Sequence, residues 1–413
     1  MSLANILRYL LAAAAAAAVV ATPAQNLNDP PVEATDPDLS LSQVVEYALR
    51  RYPESQTLGP ATAEADALGD RAGSWVAGQP ALALQHETDR PGTGVGYRAW
   101  QGGIELPLWR PGERSAARAL ATRSGAYAQA HSQALRLQVT GEVRDTLWAL
   151  AIADNQTRLA REQLEVARNL EHQISRRLEQ GDVPRTDLMI AREETLQRET
   201  AVEQSRLAVA QSLAAYEELT GLTRVPAQIR EQPADVDLTN NPALAEAQIA
   251  VTRALTSRAL VRESGGGSPS LSVGMRSEND GRGQQIDSVG VGISLPLSLR
   301  AHRAPQEAAA ALEVSRAQAE RDRRLRQLTI DLRQARQAID TAHAALALAR
   351  DRAALSAQSL TLARKAYALG ESPLLDLLRV QSRAFDAARE STLRELELYR
   401  ATAHFNQTLG VLP

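Results

Sequence analysis

Few side chains in this 413-residue chain are of a type and spacing that could make or break bonds. The six histidines, His86, His131, His172, His302, His343 and His404, never fall at metal-ligand spacing, so no metal centre within one chain is expected. Gly265-Gly266-Gly267 lacks the Lys-Ser/Thr and the strand-to-helix order of a phosphate loop, and reads as a flexible approach to a strand. No Ser-His-Asp set or carboxylate pair can be nominated. Cysteine is absent, which excludes thiol catalysis, thiolate zinc sites, disulfides and an N-terminal lipid anchor. Neither catalysis nor a cofactor is therefore expected. The residues left with chemical character are Asp187 and Asp376, each just after a Gly-x-x-Pro break, where a carboxylate suits the first turn of a helix.

The two aspartates are 189 positions apart (376 minus 187), and that offset recurs along the chain. Pro53 matches Pro242, Pro80 matches Pro269, and Leu106-Pro107-Leu108 matches Leu295-Pro296-Leu297; Gly181, Pro184 and Gly221 match Gly370, Pro373 and Gly410. An offset held without insertion over so much chain indicates a tandem duplication. The first repeat is assigned to 39–222 and the second to 238–413, with a polar linker at 223–237 and an N-terminal extension at 25–38. Residues 1–24 read as a secretory signal: Arg8, an apolar stretch from Tyr9 to Val20, then Thr22-Pro23-Ala24. No later apolar run reaches the roughly 18 residues of a membrane-crossing helix, so a membrane could be crossed only by strands.

Each repeat is expected to hold a strand pair, at about 81–88 and 97–108, and at about 270–277 and 286–297. Leu82, Leu84, His86, Trp100, Ile104, Leu106 and Leu108 share one parity in the first pair. Leu271, Val273, Met275, Val289, Val291, Ile293, Leu295 and Leu297 share it in the second, opposite small or polar residues such as Gln85, Gly103, Gly274 and Gly292. Turns rich in Gly, Asp and Asn make each pair a hairpin. Such alternation fits a half-buried soluble sheet as well as a barrel wall. Two features favour the barrel. Four strands cannot close on themselves, whereas about eight can, so symmetry copies are needed to cover the edges. Trp75, Tyr97, Trp100 and Trp109 also gather at the first hairpin and its edges, as membrane-interface aromatics would.

The rest of each repeat is helical. Leu328, Leu332, Ala335, Ile339, Ala342, Leu346, Ala349, Ala353, Leu360, Ala363 and Tyr367 continue a seam from Leu325 at spacings of three and four, with Ser356 as an interruption. The counterpart runs from Val139 to Leu178, with Arg136, Thr146, Thr157 and Glu171 as departures. Between Pro111 and Gly181 nothing breaks the helix, which gives a rod of about 100 Å, longer than any compact domain needs. The breaks at Gly181–Pro184 and Gly370–Pro373 make helical hairpin tips at about 181–187 and 370–376. Aromatics at 3% and only two phenylalanines suit small-residue helix seams rather than bulky cores, and a net charge of -3 with interleaved signs leaves no footprint for nucleic acid.

Taken in order, these elements resemble the TolC-type outer-membrane efflux family. The resemblance is carried by Tyr52-Pro53 and Asn241-Pro242-Ala243-Leu244 at the repeat starts, and by the Leu-Pro-Leu strand ends. It continues through the tips Gly181–Leu188 and Gly370–Leu377 to the endings Leu219-Thr220-Gly221-Leu222 and Thr408-Leu409-Gly410-Val411, covering nearly the whole mature chain. It implies a mainly α chain whose duplicated antiparallel helical hairpins form an α-barrel when trimeric, with four strands contributing to a twelve-strand trimeric transmembrane β-barrel. It also implies the bacterial outer membrane with a long periplasmic extension, a periplasmic adaptor (membrane fusion) protein, an inner-membrane pump of the RND type, outer-membrane lipid and no cofactor. The length and the Pro80 and Pro269 strand entries look more like the CzcC-type subunits of heavy-metal cation pumps. Drug efflux, type I protein secretion, and a periplasmic coiled-coil scaffold or adaptor remain alternatives.

The resemblance places Asp376 at the periplasmic constriction, with Asp187 as its repeat equivalent. Three such carboxylates around an axis would attract cations and gate the entrance; a helix-start aspartate bonding backbone donors is the plainer reading. Arg379 stands where some members carry a second aspartate, and intersubunit ion pairs are its expected role. Arg177, Gly181, Pro184, Tyr367, Gly370 and Pro373 fall where the family meets its adaptor, the alternative being solvated helix ends.

Overall fold

The computed structural model describes residues 35–413 apart from 93, 266 and 298, so the signal segment expected at 1–24 lies outside the described residues. In the first repeat α1 (Leu41–Arg51) opens on a reciprocal cap: the Gln43 N–H donates to Ser40 Oγ and the Ser40 N–H to Gln43 Oε1. Pro53 ends it, and α2 (Leu58–Gly73), β2 (Ala81–Thr88), β3 (Tyr97–Pro107), α3 (Glu113–Glu179) and α4 (Arg185–Thr220) follow. The second repeat runs α5 (Pro242–Ser264), β5 (Ser270–Asp280), β6 (Gln285–Ser294), α6 (Arg300–Ala368) and α7 (Leu374–Leu409). Asn241 caps α5, its Oδ1 accepting from the Ala243 N–H, with Pro242 in the first turn.

The repeats differ at their starts. Two helices precede the strands in the first repeat and one in the second, because the positions equivalent to α1 fall in the linker. A two-residue parallel pair, β1 (Thr35–Asp36) with β4 (Val225–Pro226), ties the N-terminal extension to that linker. Strands this short carry no periodicity, so the sequence did not foretell them. β5 continues to Asp280, three residues past the expected end, and β6 stops at Ser294, opposite Ser270, the first residue of β5. Gly265, on the way from α5 to β5, is also a left-handed cap on α5 (φ 56°).

The four longer strands form one antiparallel sheet in the order β2-β3-β5-β6. Its register aligns like with like: Leu82 with Ile104, His86 with Trp100, Ile104 with Val273, and Met275 with Val289. One face therefore collects Leu82, Leu84, Trp100, Ile104, Val273, Met275, Val289, Val291 and Ile293, which are 43% to 81% exposed. The other holds Gln85, Glu87, Tyr97, Gln101, Glu105, Arg276, Glu278 and Ser288, with the row Ala83, Gly103, Gly274 and Gly290 across all four strands. A Cβ on Gly103 would meet Val273 O at 3.0 Å and one on Gly274 would meet Gly102 O at 2.8 Å, so the central strands approach too closely there for any side chain. β2 and β6 are open edges.

Below the sheet the long helices lie in the order α4-α3-α7-α6, leaving α4 and α6 at the margins. α3 spans 67 residues, about 100 Å. Its seam is packed as the spacing predicts, with Val139, Val143, Leu150, Ala153, Leu164, Ala167 and Ile174 buried. Thr157 belongs to it despite its hydroxyl, which donates to Ala153 O at 3.1 Å and so leaves no polar atom unpaired. Ser356 likewise sits half-buried within the α6 seam, whereas Leu325 at its start is exposed. Val44, Val45 and Ala48 of α1 pack against Val139, Val143 and Leu147 to form the largest core. The turn from sheet to helix is latched twice at repeat-equivalent positions. Arg114 donates to Gly73 O at 2.6 Å and Arg303 to Arg262 O at 3.4 Å, each covering the carbonyl end of the preceding helix.

Candidate functional site

The tips at the far ends of the helical hairpins are built alike. Gly181 (φ 81°) and Gly370 (φ 76°) take the left-handed conformation that a side chain would strain. Asp182 N–H donates to Arg177 O and Glu371 N–H to Ala366 O, both at 2.9 Å, closing the last turns of α3 and α6. Pro184 and Pro373 then sit at the N-caps of α4 and α7. Asp187 and Asp376 occupy the first turns, where their own N–H groups bond Pro184 O at 3.0 Å and Pro373 O at 3.2 Å.

The two tips are in contact. Ile174 and Ala191 of the first and Leu374 of the second form one buried cluster, with Leu170, Val183, Leu188 and Tyr367 packed around it. The Arg177 guanidinium lies 5.5 Å from the centre of the Tyr367 ring. Burial pushes the Tyr367 hydroxyl above its ordinary value; Arg177 opposes that shift and Asp187 adds to it. Arg379 pairs with Asp376 at 3.6 Å along the same helix, both exposed, so its ion-pair partner lies within its own chain. Gln381, which the sequence reading passed over, is buried in the α7 seam, and Arg364 on α6 faces the same groove.

At the sheet, Trp100 lies on the apolar face, stacked on His86 with ring centroids 4.1 Å apart. Trp75 is exposed at the helix-side end of the sheet, and half-buried Trp109 donates from Nε1 to Ser74 O at 3.0 Å. Tyr97 departs from the expected aromatic belt. Its residue parity puts it on the polar face, where it meets Arg276 Nη2 at 2.6 Å. Arg276 also reaches Glu278 at 3.0 Å and Glu87 at 3.5 Å. A tyrosine read by residue type alone was assigned to lipid; the pairing register assigns it to the opposite side.

A third polar cluster, where the repeats join, was not foreseen. Arg144, 4% exposed, holds Glu231 of the linker through Nε at 2.8 Å and Nη2 at 2.7 Å, and Gln407 of α7 through Nη1 at 2.6 Å. Asn406 adds a bond to Glu231 Oε2 at 2.9 Å. Among the described residues no helix is long and apolar enough to cross a membrane, and no three potential metal ligands gather.

A two-faced sheet with open edges, mounted on two long coiled hairpins, defines the fold of outer-membrane efflux channels. Residues 235–411 match the family model described as outer membrane efflux protein, which covers the second repeat. No curated protein matches the chain in sequence. Among solved structures it resembles the Vibrio cholerae outer membrane protein VceC (TM-score 0.71, 17% identity, 90% of this chain and 96% of that one). It also resembles the Campylobacter jejuni CmeC outer membrane channel (0.69, 16%, 90% and 85%) and the open state of the Neisseria gonorrhoeae MtrE outer membrane channel (0.69, 15%, 90% and 88%). At 15–17% identity these likenesses show the fold.

Proposed function

We propose that the chain is one third of an efflux duct in the bacterial outer membrane, its sheet in the bilayer and its hairpins reaching into the periplasm. The observation that carries this reading is the pairing of open edges with unpartnered apolar faces. β2 and β6 leave the sheet unclosed beneath a continuous exposed apolar face, and strands of 8 to 11 residues suit a tilted membrane crossing. The marginal helices repeat the theme: α6 exposes Leu348, Leu355, Leu362 and Leu369 at steps of seven, and α4 exposes Met189, Leu196 and Leu207. Three copies joined margin to margin close both the barrel and the tunnel.

The tips then face a periplasmic adaptor, and behind it an inner-membrane pump of the RND type. Arg177, Gly181, Pro184, Tyr367, Gly370 and Pro373 form the adaptor end, and Asp187 and Asp376 the gate, with Arg379 as the local counter-charge to Asp376. Trp75, Trp100 and Trp109 anchor the sheet at the lipid interface. The cargo is cationic, in keeping with a CzcC-like heavy-metal system. On the polar sheet face Glu87, Glu105, Glu278 and Asp280 stand against the single cation Arg276. The deciding measurement is the detergent-corrected mass of the protein extracted from isolated outer membranes. A trimer is expected; a monomer or dimer soluble without detergent overturns the duct.

A further inference from the structure

The junction between the two repeats is a template for a junction between copies. The offset of 189 carries α3 onto α6, α5 onto α2 and α7 (Leu374–Leu409) onto α4 (Arg185–Thr220). α5 and α7 lie along α3 inside the chain, so α2 and α4 of another copy would lie along α6 in the same way. Arg144 Nη1 of α3 donates to Gln407 Oε1 of α7 at 2.6 Å, and the offset turns that pair into Arg333 (144 plus 189) and Glu218 (407 minus 189). Inside the chain the carboxylate that neutralises Arg144 comes from Glu231 in the linker. The position equivalent to Glu231 is Ser42 of α1, so no carboxylate stands there, and the one that does appear replaces the amide. Arg333 and Glu218 are both exposed, and among the described residues neither has an ion-pair partner. Two further contacts carry over. The Arg253 guanidinium 5.0 Å from the Tyr127 ring becomes Glu64 beside Arg316, and the His131–Glu246 pair at 2.7 Å becomes Thr57 beside Glu320. Glu64 and Arg316 already hold partners in their own chain, Arg253 at 2.9 Å and Glu313 at 2.6 Å, so the first pair is the sharper case.

We propose that Arg333 forms an ion pair with Glu218 of the partner subunit and Arg316 with Glu64 of the partner subunit, and that the two pairs together fix the register in which neighbouring copies meet. The assignment rests on the duct reading, with copies joined margin to margin. The leucines at steps of seven on α6 cannot fix that register alone, because a slide of one heptad, about 10.5 Å, brings leucine back to the same place. The charges do not repeat in this way. α6 runs antiparallel to the helices that dock on it, as α3 does to α5 and α7, so each register has a constant sum of paired positions. A slide in one direction sets Glu218 against Asp340, and a slide in the other sets Glu64 against Ala309. Both pairs form in one register only.

The test uses the full-length protein in detergent. Arg333→Glu and Glu218→Arg each set like charges together at every junction, and each should raise the monomer fraction about tenfold or more by detergent-corrected light scattering. The double variant, Arg333→Glu with Glu218→Arg, restores the pair in reverse and should return the wild-type distribution. Neutral replacement is a blunt probe, because one exposed ion pair in water contributes little. The chain has no cysteine, so a second measurement reads the register directly. A short bis-maleimide should join subunits carrying Arg333→Cys with Glu218→Cys several-fold faster than subunits carrying Arg333→Cys with Gln211→Cys, one heptad away. A double variant no better than the single ones, or faster joining at Gln211, overturns the pairing while a wild-type trimer leaves the duct standing. A wild-type protein that is a monomer without detergent overturns the duct reading itself.

Discussion

α3 and α6 are the same element twice, of 67 and 69 residues, offset by the length of the repeat, yet α3 buries eighteen residues and α6 only five. Both carry a heptad seam, so the difference is one of position. α3 lies between α4 and α7 with α2 and α5 against its upper part, while α6 is at the open margin. The sequence records that position. Leu348, Leu355 and Leu362 of α6 and Leu369 at its C-cap correspond to Leu159, Val166, Gln173 and Gln180 of the first repeat, so at the last two positions, toward the tip, leucine replaces an amide. A helix that spends leucines on solvent has its partner elsewhere, and in the proposed duct that partner is a second copy.

The largest effect is expected from breaking that margin. Burying one leucine contributes about 1.5–3 kcal/mol, and Leu355→Arg with Leu362→Arg replaces two of them at every junction with like charges around a ring. The double variant should be recovered as a monomer by detergent-corrected light scattering, while Gln173→Arg, at the α3 position equivalent to Leu362, should keep the wild-type mass. A trimeric double variant would remove α6 from the interface.

Next in size is the pair Arg144 and Arg333, equivalent at the same offset. Arg144→Ala leaves the partly buried Glu231 without its cation, which costs up to about 3 kcal/mol. Arg333 is exposed on α6, and its replacement by alanine should fall within about 0.5 kcal/mol. Thermal unfolding followed by far-ultraviolet circular dichroism should show a large drop for the first variant and none for the second. Equal drops would mean that the linker is not held by Arg144.

These contrasts mark how far the sequence could be read. Strand pairs, tips and seams were legible because each is a local pattern: a parity of two, a Gly-x-x-Pro break, a spacing of three and four. β2 matches its expected span of 81–88 to the residue. Contacts between distant segments left no such trace. Arg144 is one arginine among many on a long helix, and nothing local marks Glu231, 87 positions away, as its partner. The Arg114 and Arg303 latches could have been found, since they sit at the repeat offset beside equivalent helix ends. Tyr97 was misplaced because membrane aromatics were recognised by type, whereas only the register says which face a residue takes.

A smaller contrast lies in the sheet, between Gly103 and its equivalent Gly292. Alanine at Gly103 presses on backbone, Val273 O at 3.0 Å and Gly274 Cα at 3.1 Å, which cannot turn away. Alanine at Gly292 meets only the Ser272 Oγ at 2.7 Å, the end of a side chain that can rotate. Gly103→Ala should therefore cost about 1–3 kcal/mol and lower the temperature at which the trimer band dissociates on a gel. Gly292→Ala should shift it less. The reverse order would mean that the two repeats do not approach at β3 and β5 as closely as the register indicates.

The smallest expected effect separates the repeat starts. The Tyr52 hydroxyl donates to Glu142 Oε1 at 2.6 Å, and that bond to a carboxylate, with burial, raises the phenol from its ordinary 10.0 to about 12. The unfolded chain loses this proton near pH 10 while the folded chain keeps it to about pH 12. The stabilisation is therefore complete below pH 10 and is lost as pH rises through that window. Tyr52→Phe should flatten stability against pH between those limits. Asn241 holds the equivalent place in the second repeat, donating from Nδ2 to Thr408 O at 2.9 Å, and it does not titrate. Asn241→Ala should lower stability by a similar amount at every pH and leave the alkaline slope unchanged. An unaltered slope in Tyr52→Phe would show that the alkaline loss arises from another group.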